Sequence, residues 1–157
     1  MRPLLLGFSV LAVLGACQRT DRPSAVPSVR ATYVGTPAAP LRGTRWALRR
    51  IASLPVADST ASREPFLLIS DAGTVEGLGS CNMFRGTLQP SQNDGELAFS
   101  PLRATRMSCP TLSTETIYLK ALQATRSYRI AGDTLWLYGN AERTGTALAR
   151  LEAEPAR

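Results

Sequence analysis

The sequence predicts an α+β domain, mainly β: a small antiparallel sheet of about eight strands, barrel-like or strongly curved, with one helix inserted after the fifth strand. Three observations carry this reading. Short segments alternate apolar and polar residues with a period of two; glycine, proline and asparagine punctuate them at close intervals; and a single stretch, 111–125, changes to a helical period. A meander of this kind buries its edges best by curling on itself, with the helix against an end or a face.

The strands follow in order. Trp46 and Leu48 alternate with Arg45 and Arg49, giving a first half-buried strand through Ile51, and the polar stretch 55–65 is a surface loop. Residues 66–70 and 74–78 form a hairpin around Asp71, Ala72 and Gly73, with Gly77 and Gly79 marking a bulge or a close approach by another element. Residues 84–88 make a fourth strand, 91–95 a polar turn, and 96–100 a fifth strand with Leu97 and Phe99 on one face. Pro101 ends that ladder because it lacks an N–H, and Pro110 is placed in the first turn of the helix, where the missing donor costs little. Within 111–125, Leu112, Glu115, Tyr118, Leu119 and Leu122 fall near one face, while Thr116, Lys120 and Gln123 fall on the other. Tyr128 and Ile130 then alternate, Gly132 and Asp133 turn the chain, and residues 134–138 continue as an apolar and aromatic strand. A longer reversal over 139–145 leads to a closing strand over 146–151.

The first sixteen residues have a different character. Arg2 precedes an apolar run from Leu4 to Leu14 that is too short to span a bilayer as a mature helix, and Gly15 and Ala16 stand before Cys17. This pattern reads as a bacterial lipoprotein signal, with cleavage before Cys17 and acylation of its thiol and new N-terminus. Residues 17–40 carry Pro23, Pro27, Pro37 and Pro40 among small and polar residues, and read as a lipidated tether holding the domain about 25–30 Å from its anchor. The domain is assigned to 41–152, with 153–157 a C-terminal tail. Gln18 rather than aspartate after the lipidated cysteine resembles the sorting pattern of outer-membrane lipoproteins, which places the protein in the envelope, facing the periplasm.

Composition narrows the chemistry. A length of 157 residues with 44% apolar and 19% charged residues suits one globular domain rather than two. The net charge of +6 is carried almost entirely by arginine, Lys120 being the sole lysine. The arginines are dispersed, with neither a dense tract nor an interleaved aromatic platform, so nucleic acid is not an expected partner; contact with anionic headgroups and a merely solvated surface are the two readings that stay open. Absence of histidine removes Ser-His-Asp and Cys-His sites and any histidine-ligated metal. Asp71, Asp94, Glu96, Glu115, Asp133 and Glu142 are available for carboxylate chemistry, but most fall in turns, where acids bond the local backbone. Neither a metal nor a cofactor is expected.

Once Cys17 is assigned to lipid, Cys81 and Cys109 are left as a pair in an oxidising compartment, against a redox reading that lacks both a C-x-x-C spacing and a histidine. A bridge between them closes a loop of about 28 residues and contributes roughly 3–4 kcal/mol in the chain-entropy description.

Small residues gather around the first of these cysteines, from Gly77 through Asn82 and Phe84 to Gly86. Asn82 suits a left-handed or side-chain-bonded turn. A second cluster, Thr105, Met107 and Cys109, precedes the helix. Together with Trp46 and Leu48, the 71–73 turn, Tyr118 and Leu122, and Tyr128 through Leu135, these residues resemble the META domain family, which includes the HslJ-like heat-shock proteins. The resemblance covers roughly residues 41–152. Ser80 departs from it, standing where family members often carry another glycine. It implies an exported or lipid-anchored, barrel-like α+β domain without established catalytic residues, linked to stress tolerance at the envelope. The expected function is therefore a non-enzymatic envelope lipoprotein that binds a protein or an anionic envelope component. The alternative is a lipocalin-like carrier of a small hydrophobic ligand, for which Trp46, Phe84, Phe99, Tyr128 and Trp136 are the candidate lining, although aromatics on alternating strands read first as plain core. Oligomeric state is left open.

Overall fold

A computed structural model describes residues 37–52, 54–56, 64–91 and 93–154. The leader, Cys17, the tether as far as residue 36 and the last residues of the tail lie outside the described residues. Among the described residues, nine strands and one helix follow in the order β1 (Arg45–Ile51), β2 (Leu54–Pro55), β3 (Phe66–Ile69), β4 (Thr74–Leu78), β5 (Met83–Thr87), β6 (Arg103–Ala104), α1 (Leu112–Ala124), β7 (Ser127–Ala131), β8 (Thr134–Tyr138) and β9 (Ala149–Ala153). They form one antiparallel sheet in the order β6-β5-β4-β3-β1-β9-β8-β7, with β2 paired to β1 beside this path.

The expected architecture is corrected in two respects. The sheet is open rather than closed or strongly curled, since its end strands β6 and β7 are not paired with each other. The helix follows the sixth strand, not the fifth. The helix moves back by one place because two short strands, β2 and β6, are gained and one expected strand, 96–100, is lost. Residues 96–100, read as a full strand, make only isolated bridges, Leu88 to Phe99 and Glu96 to Ser127. Pro90, the left-handed Gly95 and Pro101 interrupt the ladder on either side of this segment. The short strands β2 and β6 lie in stretches the period-two pattern is too brief to reveal. Pro110 stands ahead of the helix rather than in its first turn, since Thr111 is the N-cap. The last strand is Ala149–Ala153 rather than 146–151.

Alternation places Trp46, Leu48, Leu67, Ile69, Val75, Phe84, Leu135, Leu137 and Leu151 on one face, where they form the core with Tyr118 and Leu122 of α1. Between Leu48 and Arg50 the β1–β9 register slips, so Arg49 is an extra residue and Leu48 and Ile51 both remain buried. Upstream of β1, the backbone N–H of Ala39 donates to the Gly132 carbonyl at 2.8 Å.

The phenol of Tyr118 packs edge-on against Phe84, ring centroids 6.1 Å apart, and is wholly buried with no hydrogen-bond partner for its hydroxyl among the described residues. Burial pushes this phenol far above its ordinary ionisation range. Stability is therefore unaffected by this group's titration below the unfolded-state pKa of about 10 and falls as pH climbs from there toward the raised folded value. Tyr118→Phe therefore raises stability by about 1 kcal/mol at neutral pH, by removing a stranded polar group, and flattens the alkaline limb of the stability profile. Denaturant titrations at neutral and alkaline pH check both effects. A destabilised variant would mean that the hydroxyl has a partner.

Candidate functional site

The family-like segment between β4 and β5 is built around two side chains, Asn82 and Glu115, at 1% and 4% exposure. Glu115 lies in the first turn of α1, where the helix dipole favours a negative charge. Its Oε2 accepts the backbone N–H groups of Cys81 (3.1 Å) and Asn82 (2.6 Å), and its Oε1 accepts Asn82 Nδ2 at 2.8 Å. Two successive amides of the β4–β5 loop thus converge on one carboxylate.

Asn82 extends the network to the segment after β6. Its Nδ2 donates to the Met107 carbonyl at 3.0 Å, while its Oδ1 accepts Thr105 Oγ1 (2.8 Å) and the Met107 N–H (2.7 Å). An asparagine amide offers two donors and two acceptor positions, and all four are engaged. Met107 takes part through its backbone; its side chain is half exposed. Cys81 and Cys109 are joined in a disulfide with Cα atoms 6.2 Å apart, which fastens the same two segments a second time.

The glycines are here for space. A Cβ on Gly79 would stand 2.5 Å from Glu115 Cγ, one on Gly77 would strike the Phe66 carbonyl and the Phe84 ring, and one on Gly86 would stand 2.7 Å from Leu102 Cδ2. Gly77 thus lets Phe84 lie against β4, Gly79 admits the carboxylate, and Gly86 lets the segment ahead of β6 cross β5. Asn82 takes the side-chain-bonded form of turn. Positive φ falls instead on Ser80, at 146°, a conformation that favours glycine, and the Ser80 hydroxyl donates to the Thr111 carbonyl at 3.0 Å. The position where the family often carries glycine is therefore the one where this backbone asks for it.

The structure brings Asn82, Thr105, Met107, Cys81 and Cys109 into one cluster, with Gly77, Phe84 and Gly86 packed beside it. The helical period shows Glu115 only as one residue of an apolar face and one of several carboxylates. Its spacing with Tyr118 and Leu122 on the core-facing side is the signal that could have found it, whereas Leu112, expected on the same face, is exposed.

The candidate carrier residues do not gather around a shared cavity. Trp46, Phe84 and Phe99 are buried in the core, whereas Trp136 lies between Leu135 and Leu137 and so faces outward, which corrects its assignment to an interior lining. Tyr128 borders an open cleft of about 520 Å³ between the β3–β4 turn and the loop after β5. Arg42 is held there by the Ser70 and Asp71 carbonyls at 3.0 Å, and Glu96 bonds Ser91 and Asn93 within the loop itself. Among the described residues, no group of three or more Cys, Asp or Glu side chains is arranged to hold a metal ion.

Residues 39–155 match the META domain. The chain belongs to the META domain family. Two solved structures are similar to this META protein. One, an NMR structure, is 22% identical with a TM-score of 0.51, over 71% of this chain and 87% of the other. The second, an NMR structure of a protein from Burkholderia xenovorans, is 25% identical with a TM-score of 0.51, over 74% of this chain and 85% of the other. Among curated proteins none matches this sequence. The family fold is thereby shown.

Proposed function

We propose that this META protein is a lipid-anchored, HslJ-like envelope protein whose domain recognises a partner in stress tolerance and carries out no catalysis. The observation that supports this reading most directly is the full commitment of Asn82. The polar side chains that set the family-like segment apart spend their hydrogen bonds on backbone and on one another, so they act as a clamp that fixes loops, and recognition falls to the surface those loops and the sheet present. The leader ending at Cys17 supports an anchor facing the periplasm, and a Cys81–Cys109 disulfide suits an oxidising compartment. The hydrophobic-carrier alternative draws less support, because its candidate aromatics are divided between the core, a cleft and the outer face.

Fractionation of cells producing the native chain and a Cys17→Ala variant tests the reading. Native protein is expected in the outer-membrane fraction with acyl groups on its N-terminal peptide, the variant is expected to lose both, and deletion of the gene is expected to raise sensitivity to heat or membrane-active drugs. A soluble, unacylated native protein overturns the anchor, and an unchanged deletion phenotype overturns the stress role.

A further inference from the structure

The arginines dispersed along the sequence are collected by the register of the sheet. Pairing of β7 with β8 sets Arg129 opposite Trp136, pairing of β8 with β9 sets Trp136 opposite Arg150, and pairing of β9 with β1 sets Arg150 opposite Arg50. These strands are consecutive in the sheet, so the four residues form one row across it. Residues directly opposite share a face, and Trp136 fixes which one, since its neighbours Leu135 and Leu137 are fully buried in the core.

The row combines charge with an aromatic. The Arg129 guanidinium lies over the Trp136 ring, 4.3 Å from its centroid, and Arg150 is the register partner of Trp136 on the next strand. The bulge in β1 adds Arg49, which shares Glu152 with Arg150 and also pairs with Glu64. Arg50 and Arg150 stand directly opposite one another in the register, with Arg150 paired to Glu152. The expectation of charge without an aromatic platform is corrected here: the platform exists, but only in the folded register.

The geometry points to a docking surface for an anionic phospholipid bilayer. Three inter-strand spacings make the row about 14 Å long, and an indole set between guanidinium groups matches the headgroup layer, where tryptophan rings settle and arginines meet phosphate. An extended acidic peptide is the poorer fit, because Trp136, Arg150 and Arg50 lie on strands paired along both edges, and Arg129 alone of the row lies on an edge strand. This inference rests on the anchoring reading only for proximity. The lipid brings the domain to the bilayer, and the row sets which face turns toward it.

Tryptophan quenching tests the row. The protein has two tryptophans, and Trp46 is wholly buried with its indole N–H on the Leu41 carbonyl, so quenching by bromine-labelled phospholipid reports Trp136. The full chain, purified from membranes of producing cells, is mixed with vesicles of phosphatidylcholine alone or with phosphatidylglycerol added. It is expected to sediment with both, while Trp136 is quenched only on the anionic vesicles and released by salt. Arg129→Gln and Arg150→Gln are each expected to weaken this docking about fivefold. Equal quenching on both vesicles, no quenching on anionic ones, indifference to both substitutions, or stronger protection of Trp136 by polyglutamate than by anionic vesicles overturns the proposal. A chain that does not sediment with neutral vesicles, yet is quenched on anionic ones, refutes the anchor and supports the row. The converse refutes the row alone.

Discussion

Glu115→Ala is expected to destabilise the domain by about 3–5 kcal/mol, a cost of the size seen when one partner of a buried charged network is removed. The substitution strands three donors at once, the N–H groups of Cys81 and Asn82 and one Asn82 amide hydrogen, inside a space that water does not reach. It also leaves Gly79 facing a void where the Glu115 side chain had filled the space of its missing Cβ. For a domain of this size the melting temperature falls by roughly 10–20 °C. Glu115→Gln separates charge from shape: it keeps the packing but turns one acceptor into a donor that opposes an N–H, and costs about 1–3 kcal/mol. Denaturant titration of both variants with the disulfide intact checks the order, and amide exchange at Cys81 and Asn82 is expected to accelerate in both. Variants within about 0.5 kcal/mol of the parent would mean that the carboxylate does not hold the loop.

That order of effects could not be read from the sequence, although much of the surrounding fold could. The strands Thr74–Leu78 and Thr134–Tyr138 coincide with their sequence reading because alternation and flanking turns are local properties. The helix was legible at Leu112–Ala124 for the same reason, through the spacing of Tyr118 and Leu122. Residues 96–100 alternate just as well, yet the Leu97 N–H donates to the Arg126 carbonyl, the Ser100 N–H to the Thr87 carbonyl, and the Ala98 carbonyl accepts from the Gln89 N–H, outside any continuous ladder, a choice made by neighbours rather than by the segment. Pairing is a tertiary fact. It decides that Arg50, Arg129 and Arg150, separated by up to a hundred positions, line up around Trp136, and that Glu115 reaches back to Asn82. Sequence periodicity identified the faces; the register alone identified the companions.

Reduction of the Cys81–Cys109 bond is expected to cost roughly 3–4 kcal/mol, the loop-closure value for a sequence separation of 28 residues. The bond ties the segment after β6 to the loop before β5, and the Asn82 contacts with Thr105 and Met107 tie the same two segments. Two fasteners on one strap do not act independently. With the bridge intact the network around Asn82 is complete and a change at Glu115 is felt in full; with it reduced, the strap lifts and Asn82 loses partners whether or not Glu115 is present. The cost of Glu115→Gln is therefore expected to be smaller in the reduced protein than in the oxidised one, with a coupling of about 1 kcal/mol. A cycle of four denaturation curves, parent and variant in each redox state, measures it. Identical oxidised and reduced parent curves would refute a stabilising bridge, and strict additivity would show that the bridge and the asparagine clamp fasten separate parts of the domain.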